Sequence, residues 1–312
     1  MPDPAPTTLA PAPSPPALGP VLAATDLSAP ARHAVERAAR VALETASGLT
    51  LVHAAGGGAV EALRQWLALT PEATLRLQAQ PGQALDALAH SVSARHGLAV
   101  RQVLVDAAPV AGILQAADGM AAGLLVVGAS GANYLRRIAL GSTAERLLQR
   151  SDRPVLVVRQ PAHEPYRRVL VPVDFSDASG AAIRLARAVA PAAHLVLLHA
   201  WSVPFEGKLQ FAGVDPGTLQ HYRLRAEQEA GLSLSALADA EALAPGQWSA
   251  CAVPGDPSMS IVQQEQENDC DLIVVGKQGR HALDILLLGS VTRRVLAETQ
   301  ADTLVVPMPG AG

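Results

Sequence analysis

This sequence predicts an α/β fold of two tandem doubly wound domains, each with a five-stranded parallel sheet, and three observations carry that prediction. A glycine pattern occurs twice, as Gly128-x2-Gly131-x9-Gly141-Ser142 and as Gly276-x2-Gly279-x9-Gly289-Ser290. The copies lie at a constant offset of 148 residues, which Asp26 and Asp174 share, and a period this long marks repeated domains rather than a solenoid. Within each copy, short Leu- and Val-rich runs alternate with helical patterns, as strand-helix-strand units with parallel pairing do.

The elements follow in order. First-half strands are expected near 20–25, 49–54, 99–105, 123–128 and 154–159, and second-half strands near 168–173, 194–200, 247–253, 271–276 and 303–307. The helix after the first strand starts at a cap-type serine in both copies, Ser28 and Ser176. The connection between the second and third strands differs. Asp215-Pro216 reads as N-cap and first residue of a helix reaching about Leu243, whereas Pro81-Gly82 predicts that the corresponding first-half stretch breaks into two shorter helices. Residues 1–19, a Pro/Ala/Thr tract without Lys or Arg, read as a disordered tail and not as a secretory signal. The first domain is then 20–159, the linker 160–167 and the second domain 168–308.

Composition narrows the function classes. Apolar residues make up 49% but aromatics only 3%, so each core is built from Ala, Val and Leu. A formal net charge of −4 without a Lys/Arg cluster argues against nucleic acid as a partner. No stretch reaches the roughly 20 apolar residues of a membrane span, so a cytoplasmic location is expected. Cys251 and Cys270 lack metal or redox spacing and read as reduced thiols.

The duplicated motifs carry the chemistry. Each glycine pattern begins where an apolar strand ends, which permits a tight turn and close backbone approach, and its Gly-Ser pair opens a helix whose first N–H groups suit a phosphate. The repetition extends to Val21-Leu-Ala-Ala-Thr-Asp26-Leu-Ser28 against Val169-Leu-Val-Pro-Val-Asp174-Phe-Ser176, and to Leu-Val-His53-Ala54 against Leu-Leu-His199-Ala200. Asp26 and Asp174 also fit as carboxylates at helix starts, the glycines as mere loop closures, and His53 and His199 as packed strand-end residues. There is no GxxxxGK[ST] loop, no GxGxxG after the first strand and no GxSxG elbow.

On these residues both halves resemble universal stress protein domains of the nucleotide-binding type, over nearly everything after residue 20. The resemblance implies an adenine nucleotide alpha hydrolase-like sheet of order 3-2-1-4-5, with a ligand crevice at the switch between strands 1 and 4. It implies that Asp26 and Asp174 lie beside adenine and ribose, and that Ala54 and Ala200 offer backbone groups to the adenine edge. Gly128, Gly131, Gly141 and Ser142, with Gly276, Gly279, Gly289 and Ser290, would surround ribose and phosphates, and Thr143 and Val291 would add N–H groups. The final strands, 154–158 and 303–307, are expected to pair within the chain as a pseudo-dimer, leaving other surfaces free for dimerisation.

The copies are not equivalent. Arg136 in the first is replaced by Asp284, while Lys277, Arg280 and Arg293 restore basic groups to the second. Ser142-x-x-Glu145 reads as a capping box that the second copy lacks, and Gly255 of the third loop is Ala107 in the first. The first site is favoured for occupancy. The resulting expectation is an ATP-binding, nucleotide-responsive stress regulator with an unidentified protein partner, and with Mg²⁺ held chiefly by triphosphate oxygens. Slow ATP hydrolysis or autophosphorylation, or a scaffold without nucleotide, are the alternatives, and no catalytic residue is assigned.

Overall fold

The structure is a computed structural model that describes residues 17–56, 70–129, 140–278 and 288–307. The tail before residue 17, Gly131, Gly279, Arg136, Arg280 and Asp284 lie outside the described residues. The first half runs β1 (Val21–Ala24), α1 (Ala29–Glu44), β2 (Leu49–Ala55), α2 (Pro71–His96), β3 (Val100–Asp106), α3 (Pro109–Gly119), β4 (Leu124–Gly128), α4 (Ser142–Arg150) and β5 (Val155–Val158). The second runs β6 (Arg168–Pro172), α5 (Asp177–Val189), β7 (His194–Trp201), α6 (Glu206–Phe211), α7 (Pro216–Ala240), β8 (Trp248–Pro254), α8 (Pro257–Glu267), β9 (Leu272–Gly276), α9 (Ser290–Glu298) and β10 (Asp302–Val306).

The ten strands form one sheet of order β3-β2-β1-β4-β5-β10-β9-β6-β7-β8. Each half therefore has the order 3-2-1-4-5. Every pairing within a half is parallel. The halves join through antiparallel β5 and β10, with Val155, Leu156 and Val157 opposite Val305, Leu304 and Thr303. The expected pairing of the final strands is present, and it removes two sheet edges that would otherwise expose unpaired backbone.

Alternating strand residues feed two layers, because successive side chains point to opposite faces. Val21, Leu51, Val126, Val171 and Leu304 pack with α1, α2, α5 and α7. Leu22, Val52, Val127, Leu170 and Val305 pack with α3, α4, α8 and α9. Each layer draws residues from both halves, so the core is continuous across the seam. Strands buried on both faces read as unbroken apolar runs, which is how they are written here.

Two local expectations need correction. The stretch around Pro81 is not two helices: over Pro71–His96 it is one helix, α2, with Pro81 inside. Thr70 caps its start, Gly97 ends it at φ 67°, and its own Leu85, Ala89 and Val92 are buried against the sheet layer. A proline removes one helical hydrogen bond, and an apolar stripe spanning the turns beyond it outweighs that local loss. The Ser142-x-x-Glu145 capping box does not form either, because Gly141 occupies the N-cap position and no side chain caps this helix. Asp215, by contrast, caps α7 as expected, accepting from the Gly217 and Thr218 N–H groups.

The seam is held by charges as well as strands. Asp302 on β10 is fully buried and accepts from the Arg159 and Gln160 N–H groups at 2.7 and 3.1 Å, from the Tyr166 hydroxyl at 2.7 Å and from Arg37 Nε at 3.2 Å. The Arg37 guanidinium lies 4.0 Å from the Tyr166 ring centroid and donates to the Glu164 carbonyl. One carboxylate thus ties α1, the linker and the last strand together. Lys277, expected near a phosphate, is instead buried in the seam, where Nζ donates to the Gln149 and Ser151 carbonyls at 2.7 and 3.2 Å. A cation there meets the carbonyl-rich end of α4, so it is not available to the second crevice.

Candidate functional site

Each half opens a cavity at its strand 1/strand 4 switch, where a doubly wound sheet diverges. The first has a volume of about 550 Å³, and its wall includes Asp26, His53, Ala54, Gly128, Gly141, Ser142 and Thr143. The second has about 400 Å³, and its wall includes Asp174, His199, Ala200, Gly276 and Val291. Both fall in the range of small-molecule sites, roughly 300–1,000 Å³. Gly289 and Ser290 open α9 beside the second cavity but are not part of its wall.

The residue after each strand-1 carboxylate, Leu27 or Phe175, adopts a left-handed backbone with φ of 65° or 60°, which makes the turn into α1 or α5. In the first copy the Asp26 carboxylate accepts from the Ser28 N–H at 3.0 Å, while Ser28 caps α1 through the Ala31 N–H. In the second copy Asp174 Oδ1 accepts from the Ser176 N–H, the Ser176 hydroxyl and the Ser179 hydroxyl, at 3.1, 2.5 and 3.0 Å. Ser176 spends its hydroxyl on Asp174, and no side chain caps α5.

His53 and His199 occupy the same position in each half. Their Nδ1 atoms lie 2.8 and 2.9 Å from the Thr25 and Val173 carbonyls. A carbonyl only accepts, so Nδ1 carries a proton. Each histidine locks the end of strand 2 to the end of strand 1 and sets the backbone of Ala54 or Ala200 at the cavity wall. The glycine loops close alike: the Gly141 N–H donates to the Ala129 carbonyl at 2.7 Å and the Gly289 N–H to the Lys277 carbonyl at 2.9 Å.

The walls also contain residues that the sequence did not single out. Ile113 and Val127 give the first cavity an apolar stretch of wall, as Ile261 and Val275 do the second, which Thr292 also lines. Pro109 and Pro257, the first residues of α3 and α8, also line the cavities, each two residues after the third-loop position that differs between the copies, Ala107 and Gly255. Nothing in the sequence marks Thr292. Arg293 is exposed and donates to the Leu288 carbonyl at 3.0 Å. Among the described residues no group of three or more His, Cys, Asp or Glu side chains could hold a metal.

Comparison with known proteins finds a family match in both halves. The model of the Universal stress protein family matches residues 18–159 and again 165–307. A universal stress protein of Mycobacterium tuberculosis is 32% identical over 231 residues, covering 69% of this chain and 71% of that protein. One of Mycolicibacterium smegmatis is 29% identical over 303 residues, covering 92% and 96%. The crystal structure of a universal stress protein from Archaeoglobus fulgidus superposes with a TM-score of 0.62 at 17% identity, covering 94% of this chain and 99% of that one. That likeness is one of fold.

Proposed function

The chain belongs to the universal stress protein family, and from that premise we propose that it is a nucleotide-responsive regulator whose first cavity binds ATP or a related adenine nucleotide. One observation carries the reading: residues from four separate segments, Asp26, Ala54, Gly128 and the Gly141-Ser142-Thr143 helix start, meet in the wall of one cavity at the switch point. The chemistry of that wall fits the ligand. Apolar Ile113 and Val127 accept a ring, the backbone after His53 offers hydrogen bonds to its edge, Asp26 is placed to accept from hydroxyls, and the first amides of α4 lack intrahelical partners and favour an anion. Glu145 in the same wall works against a polyanion, which favours a nucleotide whose charge is partly neutralised by Mg²⁺ on its own phosphate oxygens.

The proposed role is one of regulation rather than turnover, and no catalytic residue is assigned. The nucleotide would act by altering the surface that a protein partner reads, in the cytoplasm. No helix among the described residues is long and apolar enough to cross a membrane.

The test is Gly141→Val. A branched side chain at the N-cap blocks close phosphate approach, so ATP affinity at the first cavity should fall by at least about tenfold, roughly 1.4 kcal/mol, with the melting temperature little changed. Calorimetric titration that finds wild-type stoichiometry and affinity in the variant would refute the site.

A further inference from the structure

We infer that the two cavities are not duplicate sites, and that the second is built for an uncharged purine nucleoside rather than for a phosphorylated one. This deepens the adenine-nucleotide reading and rests on it for the purine. It follows from comparing the walls position by position across the 148-residue repeat.

At the helix-start end, Thr143 of the first wall becomes Val291, and Thr25 beside the first carboxylate becomes Val173. Both hydroxyls are replaced by apolar groups, that of Thr143 being the one lost to a ligand, since Thr25 Oγ1 already accepts from the Leu27 N–H at 3.0 Å. Where the second wall gains hydroxyls, the protein consumes them. Ser179, in place of Ala31, donates to Asp174 at 3.0 Å, and Thr292, in place of Ala144, donates to the Gly276 carbonyl at 2.7 Å.

That last bond ties the start of α9 to the end of β9. An alanine in the corresponding place leaves α4 and β4 without the tie. The consequences agree: the second cavity is the smaller, and its wall stops at Val291 and Thr292 without reaching Gly289 or Ser290, whereas the first includes Gly141 and Ser142. A phosphate chain needs that helix start, but a nucleoside does not. Asp174, His199 and Ala200 still furnish polar contacts for a ring and its sugar, with Ile261 and Val275 forming an apolar wall.

Among the described residues net charge points the other way and is outweighed by geometry. Glu145 sits where the second half has Arg293. Arg293, however, is exposed, bonded to the Leu288 carbonyl and outside the cavity wall, so its field there is screened by solvent. Lys277 is spent on the seam.

Calorimetry on the full chain tests this with ATP and adenosine as probes. ATP should bind at one equivalent, and adenosine should bind at one further equivalent to ATP-saturated protein, at least about tenfold more tightly than ATP binds that same cavity. Ala200→Leu, or independently Val291→Trp, should abolish the adenosine equivalent and spare ATP. Two equivalents of ATP with no room left for adenosine would overturn the inference while leaving the proposed function intact. Adenosine binding that survives both variants would also overturn it. Adenosine binding without any ATP binding would refute the proposed function and leave the inference standing.

Discussion

The two halves share one strand order, one loop closure and one histidine tie between strands 1 and 2, yet they differ at the seam, in the crossover helices and at the crevices. On the seam, Asp302 and Arg37 meet as a buried pair, while their repeat equivalents are Pro154 and Leu185, which cannot pair. In the crossover helices, α2 carries Pro81 inside and α7 carries none. At the crevices, Thr292 makes a bond for which Ala144 has no hydroxyl. Duplication supplied the scaffold twice; asymmetry entered through single polar contacts that a backbone repeat does not dictate.

The largest effect expected from breaking that asymmetry is at Asp302. Removing one member of a buried charged pair leaves the other uncompensated, which costs about 3–5 kcal/mol. Asp302→Ala strands Arg37 and releases the Arg159 and Gln160 amides and the Tyr166 hydroxyl together. Denaturant unfolding should show that loss, and a loss below about 1 kcal/mol would show that the latch is ornamental. Burial raises the Asp302 carboxyl above its ordinary value, against the pull of Arg37 and its hydrogen-bond donors. With the folded value above the unfolded one, the native state binds more protons in the window between them. The group's contribution therefore falls as pH rises through the range just above about 4. Asp302→Asn should remove that downward slope, whatever its offset in stability.

A smaller and opposite effect is expected in α2. An interior proline is unfavourable by about 3 kcal/mol relative to alanine, while the rigidity it gives the unfolded chain returns up to about 1 kcal/mol. Pro81→Ala should therefore stabilise the protein by about 2 kcal/mol and make α2 resemble α7. A destabilised variant would mean that the ring of Pro81 packs in a way that alanine cannot replace.

How legible each region was follows from how local its cause is. The strand positions were readable because apolar runs bounded by glycine need no tertiary information, and the 3-2-1-4-5 order followed from family resemblance. Asp215 capping α7 and the histidines at the strand ends were equally local. Pro81 misled because its penalty is local but the burial of Leu85, Ala89 and Val92 that overrides it is not. Ser142 misled because a capping box and a Gly-Ser helix start look alike in sequence until the backbone shows which residue holds the cap. Lys277 sits beside the glycine motif yet points into the other half, and only the β5–β10 register places α4 within its reach.

The smallest effect, and the sharpest comparison of the crevices, is at Thr292. Its hydroxyl bond to the Gly276 carbonyl is one neutral hydrogen bond between buried or half-buried groups, worth about 0.5–1.5 kcal/mol net. Thr292→Ala recreates the first-half residue and should lower stability by about 1 kcal/mol. The same change unties α9 from β9, so the second cavity should extend toward Gly289 and Ser290 and acquire measurable ATP binding. The converse, Ala144→Thr, should tie α4 to β4 and weaken ATP at the first cavity. Calorimetric titration of both variants reads the two effects on one scale. If ATP affinity moves in neither, the hydroxyl is a structural bond alone, and the difference between the crevices must reside in Val173 and Val291.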